Sequence, residues 1–526
     1  MARTAVLALA FLALMAGPAQ ATAFEVVVVP GFTVDDLEDV QELGAVGLLN
    51  PGAGPETSAA LAEAALVRGE VRNSLRGDLP PGPPLISVTR GEPGSVDGPA
   101  IYVGLPDGAR QPNDRRYPIL VVGPGYEGLL TSESTRIPGL VSVVDIAPTA
   151  LGQEGALGFQ PRENATAELR ALDERIEDNI RARLPAELAV CALLVLLALV
   201  FPSAAVPAFA AVLWANLGLV IAGVSEPLAV VVIFSLAVVL GGPLLDLAWP
   251  TALRLGLGLA ATIGAYLLAL GFDASVAVSP FGPWQNGRFF GLSNLVETLL
   301  LLPAFAAAAL LAARLGWAAF GGVALLTFVT VAGNRFGADG GGAVVLAVGF
   351  AVLGVLLADA RWRALVLALA GAAALALGLV AIDIATGGKS HVTEALSGGP
   401  VELARDLGER VSLSVARATQ EWYVALLLAL LLLALGLLVV RTLVRRGAGR
   451  ESAVPLALAA ALAVSLVVND SPNDVLLIGV VSYLASDLGM LRAPWPASPR
   501  SSSPSVLWSS SPAAAAARRP LRRPRP

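Results

Sequence analysis

The chain has 526 residues, 56% of them apolar and only 14% charged, with a formal net charge of −6 and a mean hydropathy of +0.72. A soluble protein carries about a quarter charged residues, so this composition excludes a soluble globular enzyme, a disordered chain and a fibrous one. It describes a polytopic membrane protein. One cysteine, Cys191, rules out an intrachain disulfide framework, and one histidine, His391, rules out a cluster of histidine metal ligands. Lys389 is the single lysine, so the other basic residues are all Arg, a bias that codon usage explains without any mechanism.

The chain opens like a secretory signal, expected over residues 1–23. Arg3 supplies the positive start, Ala5 to Ala16 the apolar stretch, and Ala19-Gln20-Ala21 or Ala21-Thr22-Ala23 a small-residue cleavage site. At about 1.5 Å per residue this stretch is too short for ~30 Å of hydrocarbon.

Residues 24–185 are soluble in composition and mixed α/β in pattern. Phe24–Val29, Ala45–Leu49, Ala100–Val103, Ile119–Val122 and Leu140–Val144 are short apolar runs bounded by Gly or Pro, as strands are. Ser58–Ser74 has helical spacing, with Thr57 or Ser58 placed to cap it. Strands alternating with helices predict a mainly parallel sheet. Glu163–Arg183 is a charged helix leading into the membrane. This domain holds 24 acids against 13 Arg, a balance that does not favour nucleic acid as a partner.

From 186 to 490 the chain is membrane. Eleven spans are expected, at 186–202, 204–223, 227–246, 251–271, 292–312, 316–332, 341–358, 364–383, 423–440, 452–468 and 474–490. If the N-terminal domain is exported, Arg254, Arg314, Arg361, Arg363, Arg441, Arg445, Arg446 and Arg450 all fall on the inner side, as the positive-inside rule requires. The tail 491–526, Ser/Pro/Ala/Arg-rich with seven Arg and no acid, reads as a disordered cytoplasmic segment near anionic lipid. The expected location is therefore the plasma membrane, multi-pass, with the N-terminal domain extracytoplasmic.

The same topology collects four unusual connections on the outer side. They are 272–291 with Trp284-Gln285-Asn286-Gly287-Arg288, 333–340 with Asn334, Arg335 and Asp339, the long loop 384–422, and Asn469-Asp470-Ser471-Pro472-Asn473-Asp474. Polar groups at span ends pair, bind something or line a wet cavity. Asn294 and Glu297 share a helix face one turn into a span, and an ionised Glu297 needs a partner, with Arg288 and Arg335 as candidates. Gly337–Gly342 reads either as a broken helix start whose N–H groups could hold an anion or as close helix packing, with Arg335 and Asp339 placed to pair. Asn469, Asp470, Asn473 and Asp474 offer oxygens suited to a divalent cation or to sugar hydroxyls, or simply a polar turn. No cofactor is expected beyond such a cation. In the loop 384–422, Glu402–Arg417 has the spacing of an amphipathic helix.

Several segments resemble one family. They are Glu25–Phe32, Gly44–Asn50, Pro55–Ser58, Val122–Gly128 and Pro138–Thr149 in the first domain, and Arg288–Asn294, Gly337–Gly341 and Val468–Ser471 in the second. The chain is similar to bacterial polytopic membrane proteins whose exported domain is a shortened, degenerate alkaline-phosphatase or phosphodiesterase fold. The resemblance implies three positions where an active member would carry its machinery. Pro30 stands where a metal-binding Asp ends the first strand. Thr57 or Ser58 stands near the nucleophile, and Glu127-Gly128 replaces a His-Gly pair. With no histidine in 24–185, a two-metal phosphatase cannot be assembled in the usual way, which points to a binding or structural ectodomain.

Three functions follow as expectations. The first is a cell-envelope membrane protein with an outer-face polar site for an anionic or lipid-linked substrate, with Arg288 and Arg335 on the anion and Glu297, Asp339 or Asp470 as base or cation ligand. The second is a gradient-driven transporter or flippase, since no ATP-binding motif is present. The third is a membrane scaffold or sensor without a substrate. A transporter needs polar residues along a path to both faces, whereas an outer-face site needs them on one side; the sequence favours one side.

Overall fold

The computed structural model describes residues 24–153, 157–333, 335–360, 363, 366–367, 369–371, 408, 411–469 and 471–490. The expected signal segment, most of the expected span 364–383, Lys389, His391 and the Arg-rich tail lie outside the described residues.

The first part is an eight-stranded sheet with a small two-stranded annex. Its strands are β1 (Glu25–Val28), β2 (Ala45–Asn50), β4 (Val88–Arg90), β5 (Ala100–Val103), β7 (Tyr117–Val122), β8 (Gly128–Ser132), β9 (Leu140–Ser142) and β10 (Leu157–Gln160). The annex pairs β3 (Glu56–Thr57) with β6 (Gln111–Pro112). Ser58 caps the helix α2 (Ala59–Arg68), its hydroxyl accepting from the Leu61 N–H, so the expected helix is there but ends at Gly69 in the left-handed conformation.

The sheet is mixed: six of its eight strands run one way, as expected of a mainly parallel sheet, and β7 and β10 run against them. β1 runs parallel to β4 and β5, but β7 is antiparallel to both β5 and β2. The physical reason is the connection. The segment 104–116 contains no crossover helix, and without one the chain turns back antiparallel.

Both faces of the sheet are covered. Val26, Val28, Ile101, Val103, Ile119 and Val121 alternate onto the face that packs against Ala65 and Leu66 of α2. Val27, Val46, Tyr102 and Leu120 face the other way, onto Leu169, Leu172 and Ile176 and also Val278 and Phe289. The last two come from the segment between membrane helices, so the sheet shares a core with the membrane part. Burying a side chain such as Val278 or Phe289 contributes about 1.5–3 kcal/mol each, which ties the two parts together.

The link is also covalent and stiff. The helix α4 (Ala165–Val200) runs 36 residues without a break through the expected boundary at 185/186. Its length is about 54 Å at 1.5 Å per residue, so its first half covers the sheet while its second half enters the bundle. Pro185 is accommodated inside it. The short helices α1 (Leu37–Val40) and α3 (Ile146–Ala150) complete the first part.

The bundle continues with α5 (Pro202–Ala222), α6 (Pro227–Ala248), α7 (Ala252–Phe272), α8 (Asn294–Leu315), α9 (Trp317–Ala332), α10 (Gly340–Ala358), α11 (Trp422–Arg446), α12 (Ala453–Val468) and α13 (Pro472–Gly489). Eight described helices are long and apolar enough to cross a membrane. α9, with 16 residues, is a shorter apolar helix. Residues 411–419 are helical, overlapping the last part of the stretch 402–417 expected to form an amphipathic helix. α8 is the central helix. Nearly all its side chains are buried, and its Ala304 and Ala306–Ala309 run lets neighbours approach closely. α11 and α6 lie at the other extreme, with leucines such as Leu426, Leu430 and Leu244 about half exposed or more, as lipid-facing helices have.

Candidate functional site

The expected outer-face residues divide into two neighbourhoods, both at the end of the bundle that carries the sheet. The first is built on the start of α8, the start of α10 and the end of α12. The turn that leads into α8 is tight. Gly291 has φ +80°, and a side chain there would collide with the Gly337 carbonyl, which accepts from the Leu292 N–H at 3.0 Å. This contact brings the 333–339 loop against the segment carrying Arg288.

Arg288 donates through Nη1 to Asp339 Oδ2 at 3.0 Å and through Nη2 to the Gly337 carbonyl at 3.1 Å. Asp339 is 4% exposed, whereas the Arg288 side chain is 36% exposed. Asp339 also caps α10, its Oδ1 accepting from the Gly342 N–H at 3.0 Å. The anion at this helix start is therefore the chain's own carboxylate, not a cradle left open for a ligand. Arg335 is exposed and does not pair with Asp339; Arg288 takes that place.

Glu297 lies below, on α8, 1% exposed. Asn469 at the end of α12 donates to its Oε2 at 3.3 Å, while Oε1 is buried with no hydrogen-bond partner. The carboxyl of Asp339 and the guanidinium of Arg288 both act on it electrostatically. Gly341 and Gly342 make the approach possible. A Cβ on Gly342 would meet Glu297 Cδ at 3.0 Å and Val331 Cγ1 at 2.6 Å, and one on Gly341 would meet Asn469 Oδ1 at 2.4 Å. Asn469 also donates to Ser465 Oγ at 2.8 Å. Asn294 opens α8, 9% exposed, and its carbonyl accepts from the Thr298 hydroxyl. Asn334 and Asp470 lie outside the described residues.

Asp474 belongs to the second neighbourhood. It pairs with Arg183 of α4, Nη2 to Oδ2 at 3.1 Å, and Arg183 also donates through Nη1 to the Gly282 carbonyl. The same guanidinium lies over the Trp284 ring at 4.6 Å. Glu187, one turn further along α4, is 4% exposed with Oε1 unpartnered, and Asn473 Oδ1 is likewise buried and unpartnered. Asn469 and Asp474, two of the four residues read as suited to a divalent cation, to sugar hydroxyls or simply to a polar turn, engage Glu297 and Arg183 respectively. Among the described residues no group of three or more His, Cys, Asp or Glu could hold a metal ion.

The phosphatase-like positions do not converge. β1 and β2 run in the same direction, and Pro30 and Thr57 follow their C-terminal ends. Glu127 precedes β8, whose first residue pairs with Ala45 at the start of β2, so it lies at the opposite end of the sheet. Pro30 and Glu127 are exposed, and Thr57 is buried with Oγ1 unpartnered. In the same domain Asp145 accepts from the Ser132 and Ser134 hydroxyls and the Ser142 N–H, while burial pushes its carboxyl above the ordinary carboxylate range.

The Thr57 end of the sheet faces the membrane part. Asn50 Nδ2 donates to the Gln285 carbonyl and the Gly54 N–H to the Asn286 carbonyl, both at 2.9 Å. Thus the sheet grips the segment that carries Arg288. Arg183, Glu187 and Gln285 had no role in the sequence reading. The available signal was an Arg and a Glu spaced i,i+4 across the start of the first span. At the far end of the bundle a further buried pair, Arg446 with Asp487 at 3.1 Å, is joined to Thr442 and Tyr483. It adds buried charge at the end of the bundle opposite the sheet, whereas the sequence favoured polar residues on one side. No family model, no curated protein and no solved structure gives a match to this chain.

Proposed function

We propose that the chain is a multi-pass cell-envelope membrane protein whose extracytoplasmic α/β domain, a non-catalytic relative of the phosphatase fold, is a platform over a polar site that takes an anionic, lipid-linked group. The observation that carries this reading is Arg288. It is the cation of the first neighbourhood that is held by a buried carboxylate while its own side chain stays partly open, its partner Asp339 being fixed as a helix cap. A guanidinium held from behind and open in front presents its remaining N–H groups to phosphate or carboxylate. Glu297 and Asn469 lie beneath, the buried Glu297 carboxyl meeting the Asp339 carboxyl and the Asn469 amide and so backing the Arg288–Asp339 pair.

A transporter reading has one observation in its favour, the Arg446–Asp487 pair at the far end of α13. Between Asp474 and Asp487, however, the buried residues of α13 are apolar from Val475 to Val481, and the buried polar residues Ser482, Tyr483 and Ser486 gather at the Asp487 end. The polar groups of this helix therefore sit at its two ends with an apolar stretch of nearly two turns between them.

The test uses the full chain in nanodiscs of neutral lipid, with a short-chain prenyl phosphate as probe. Replacing a charge-assisted contact weakens binding roughly tenfold to a hundredfold, so Arg288→Gln is expected to lose affinity by that factor and Arg288→Lys to lose less. Unchanged affinity in Arg288→Gln would sink the proposal.

A further inference from the structure

The first neighbourhood sets two buried carboxyls against one guanidinium. Glu297 and Asp339 are 1% and 4% exposed, and their carboxyls are hydrogen-bonded to each other. The Asn469 amide donates to Glu297 Oε2, whereas Oε1 meets no N–H or O–H donor among the described residues. The charged groups that act most on Glu297 are Asp339, from the start of α10, and Arg288, from the segment before α8. The other charges at this end of the bundle are engaged elsewhere or turned outward. Asp474 of α13 pairs with Arg183 of α4, Arg417 of the 411–419 helix donates to Ser471 Oγ at 3.0 Å, and Arg335 is exposed.

Ionised carboxylates accept hydrogen bonds and donate none, so two carboxyls meet in this way only with a proton between them. The charge count agrees. Two buried carboxylates against one guanidinium leave a net negative charge out of water, and one proton cancels it. A metal ion fits less well, since among the described residues no three His, Cys, Asp or Glu gather to hold one, and it would stand beside the guanidinium. The two oxygens of Asp339 have separate tasks. Oδ1 caps α10 through the Gly342 N–H at 3.0 Å, and Oδ2 holds Arg288 at 3.0 Å. A neutral carboxyl still accepts on Oδ1, so a further proton on the pair releases Arg288 toward an anion without undoing the helix start.

We infer that Glu297 and Asp339 are a proton-binding pair and that the site takes its anion together with a proton from solvent. This rests on the preceding reading, in which Arg288 holds the anion. An anion on Arg288 draws on the positive charge that balances the pair. The remaining carboxylate then takes up one proton and becomes a neutral carboxyl, so one anion and one proton enter and the charges balance again. By linkage, proton and anion strengthen each other's binding by the same factor. The affinity for the anion is therefore highest at low pH and falls as pH rises.

The experiment titrates the full chain in neutral nanodiscs with the methyl ester of a short-chain prenyl phosphate. This diester keeps a single charge at every pH used, whereas a monoester ionises a second time near about pH 6 and would add a slope of its own. Wild-type affinity is expected to fall by roughly fivefold or more from the acid to the alkaline end of the range in which the protein stays folded. Calorimetry in buffers of different ionisation enthalpy is expected to show protons taken up on binding. Glu297→Gln keeps the size and offers Asp339 an N–H but cannot titrate, so it is expected to flatten the pH dependence whatever its own affinity. Should that variant not fold, the infrared difference spectrum of wild type on adding the probe takes its place. Carboxylate bands giving way to a carboxylic-acid band would support the inference, and no such exchange would overturn it. Wild-type binding independent of pH, with Arg288→Gln still weakening it, would overturn the proton coupling and leave the anion site standing. A pH dependence that survives in folded Glu297→Gln would overturn the assignment to this pair. No binding by wild type would overturn the Arg288 reading and the coupling with it.

Discussion

Arg183 is the residue whose loss should be felt most. Its guanidinium is 4% exposed and holds together three elements: Asp474 at the start of α13, the Gly282 carbonyl and the Trp284 ring. Arg183→Gln leaves Asp474 and Glu187 as two buried carboxyls without their cation. Breaking a buried pair from one side costs roughly 3–5 kcal/mol, because the uncompensated partner stays desolvated. The lost cation–π contact adds about 1 kcal/mol. At about 2–4 °C per kcal/mol, the melting temperature of the detergent-solubilised protein should fall by roughly 10 °C. Arg183→Gln combined with Asp474→Asn removes both charges of the pair and should recover much of that drop. The assay is a thermal-unfolding double-mutant cycle over the four proteins. A single variant melting within about 2 °C of wild type, or a double variant no better than the single, would refute the view that this pair clamps the sheet-bearing helix to the bundle.

Three further outcomes are expected. Gly342→Ala places a Cβ 2.6 Å from Val331 Cγ1 and 3.0 Å from Glu297 Cδ, so folded yield should drop. The overpacking costs about 1–3 kcal/mol, whereas Gly321→Ala on α9, with nothing within reach, should be neutral or gain about 0.5–1 kcal/mol; equal effects would contradict the packing described. Asp145 binds its proton more tightly folded than unfolded, because burial raises its pKa against the pull of Ser132, Ser134 and Ser142. Its contribution is therefore fully present below the ordinary value of 3.8 and is lost as pH rises through the raised folded value. The stability of wild type relative to Asp145→Asn should fall as pH rises from the ordinary value of 3.8 through the raised folded value in denaturant titrations, and a difference independent of pH would show that the carboxyl is not so perturbed. For orientation, a membrane-impermeant thiol reagent applied from outside should label Asp107→Cys and spare Gly447→Cys, with the native Cys191 buried and silent. The reverse pattern would invert the topology and remove the proposed site from the outer face.

Much of the architecture was legible in the residues themselves. Runs such as Val26–Val29 and Ala45–Leu49, bounded by turns, are strands because β-branched and apolar residues fit a sheet covered on both faces. The apolar stretches from 186 onward are helices because a chain in lipid has to satisfy its own backbone, and their ends follow Pro and Gly closely, as at Pro202 and Gly223. The residues of the first neighbourhood were visible as well, since charge at a span end stands out against an apolar background. Their partners were not. Asp339 lies four residues from Arg335, a spacing that invites a local pair. The turn at Gly291 instead delivers Arg288, a residue 51 positions away, and the local candidate is left at the surface. Helical spacing describes contacts within one element, whereas this pairing depends on how two connections cross. The second neighbourhood was less visible still, because Arg183 read as the end of a charged extramembrane helix and Glu187 as one charge at the start of the first span. Only the tertiary structure, by running α4 unbroken from the sheet into the bundle and folding the 279–285 segment over it, turns those charges inward and leaves their neighbours short of partners. Sequence determines which groups must be paired; the crossing of distant segments decides which partners they meet.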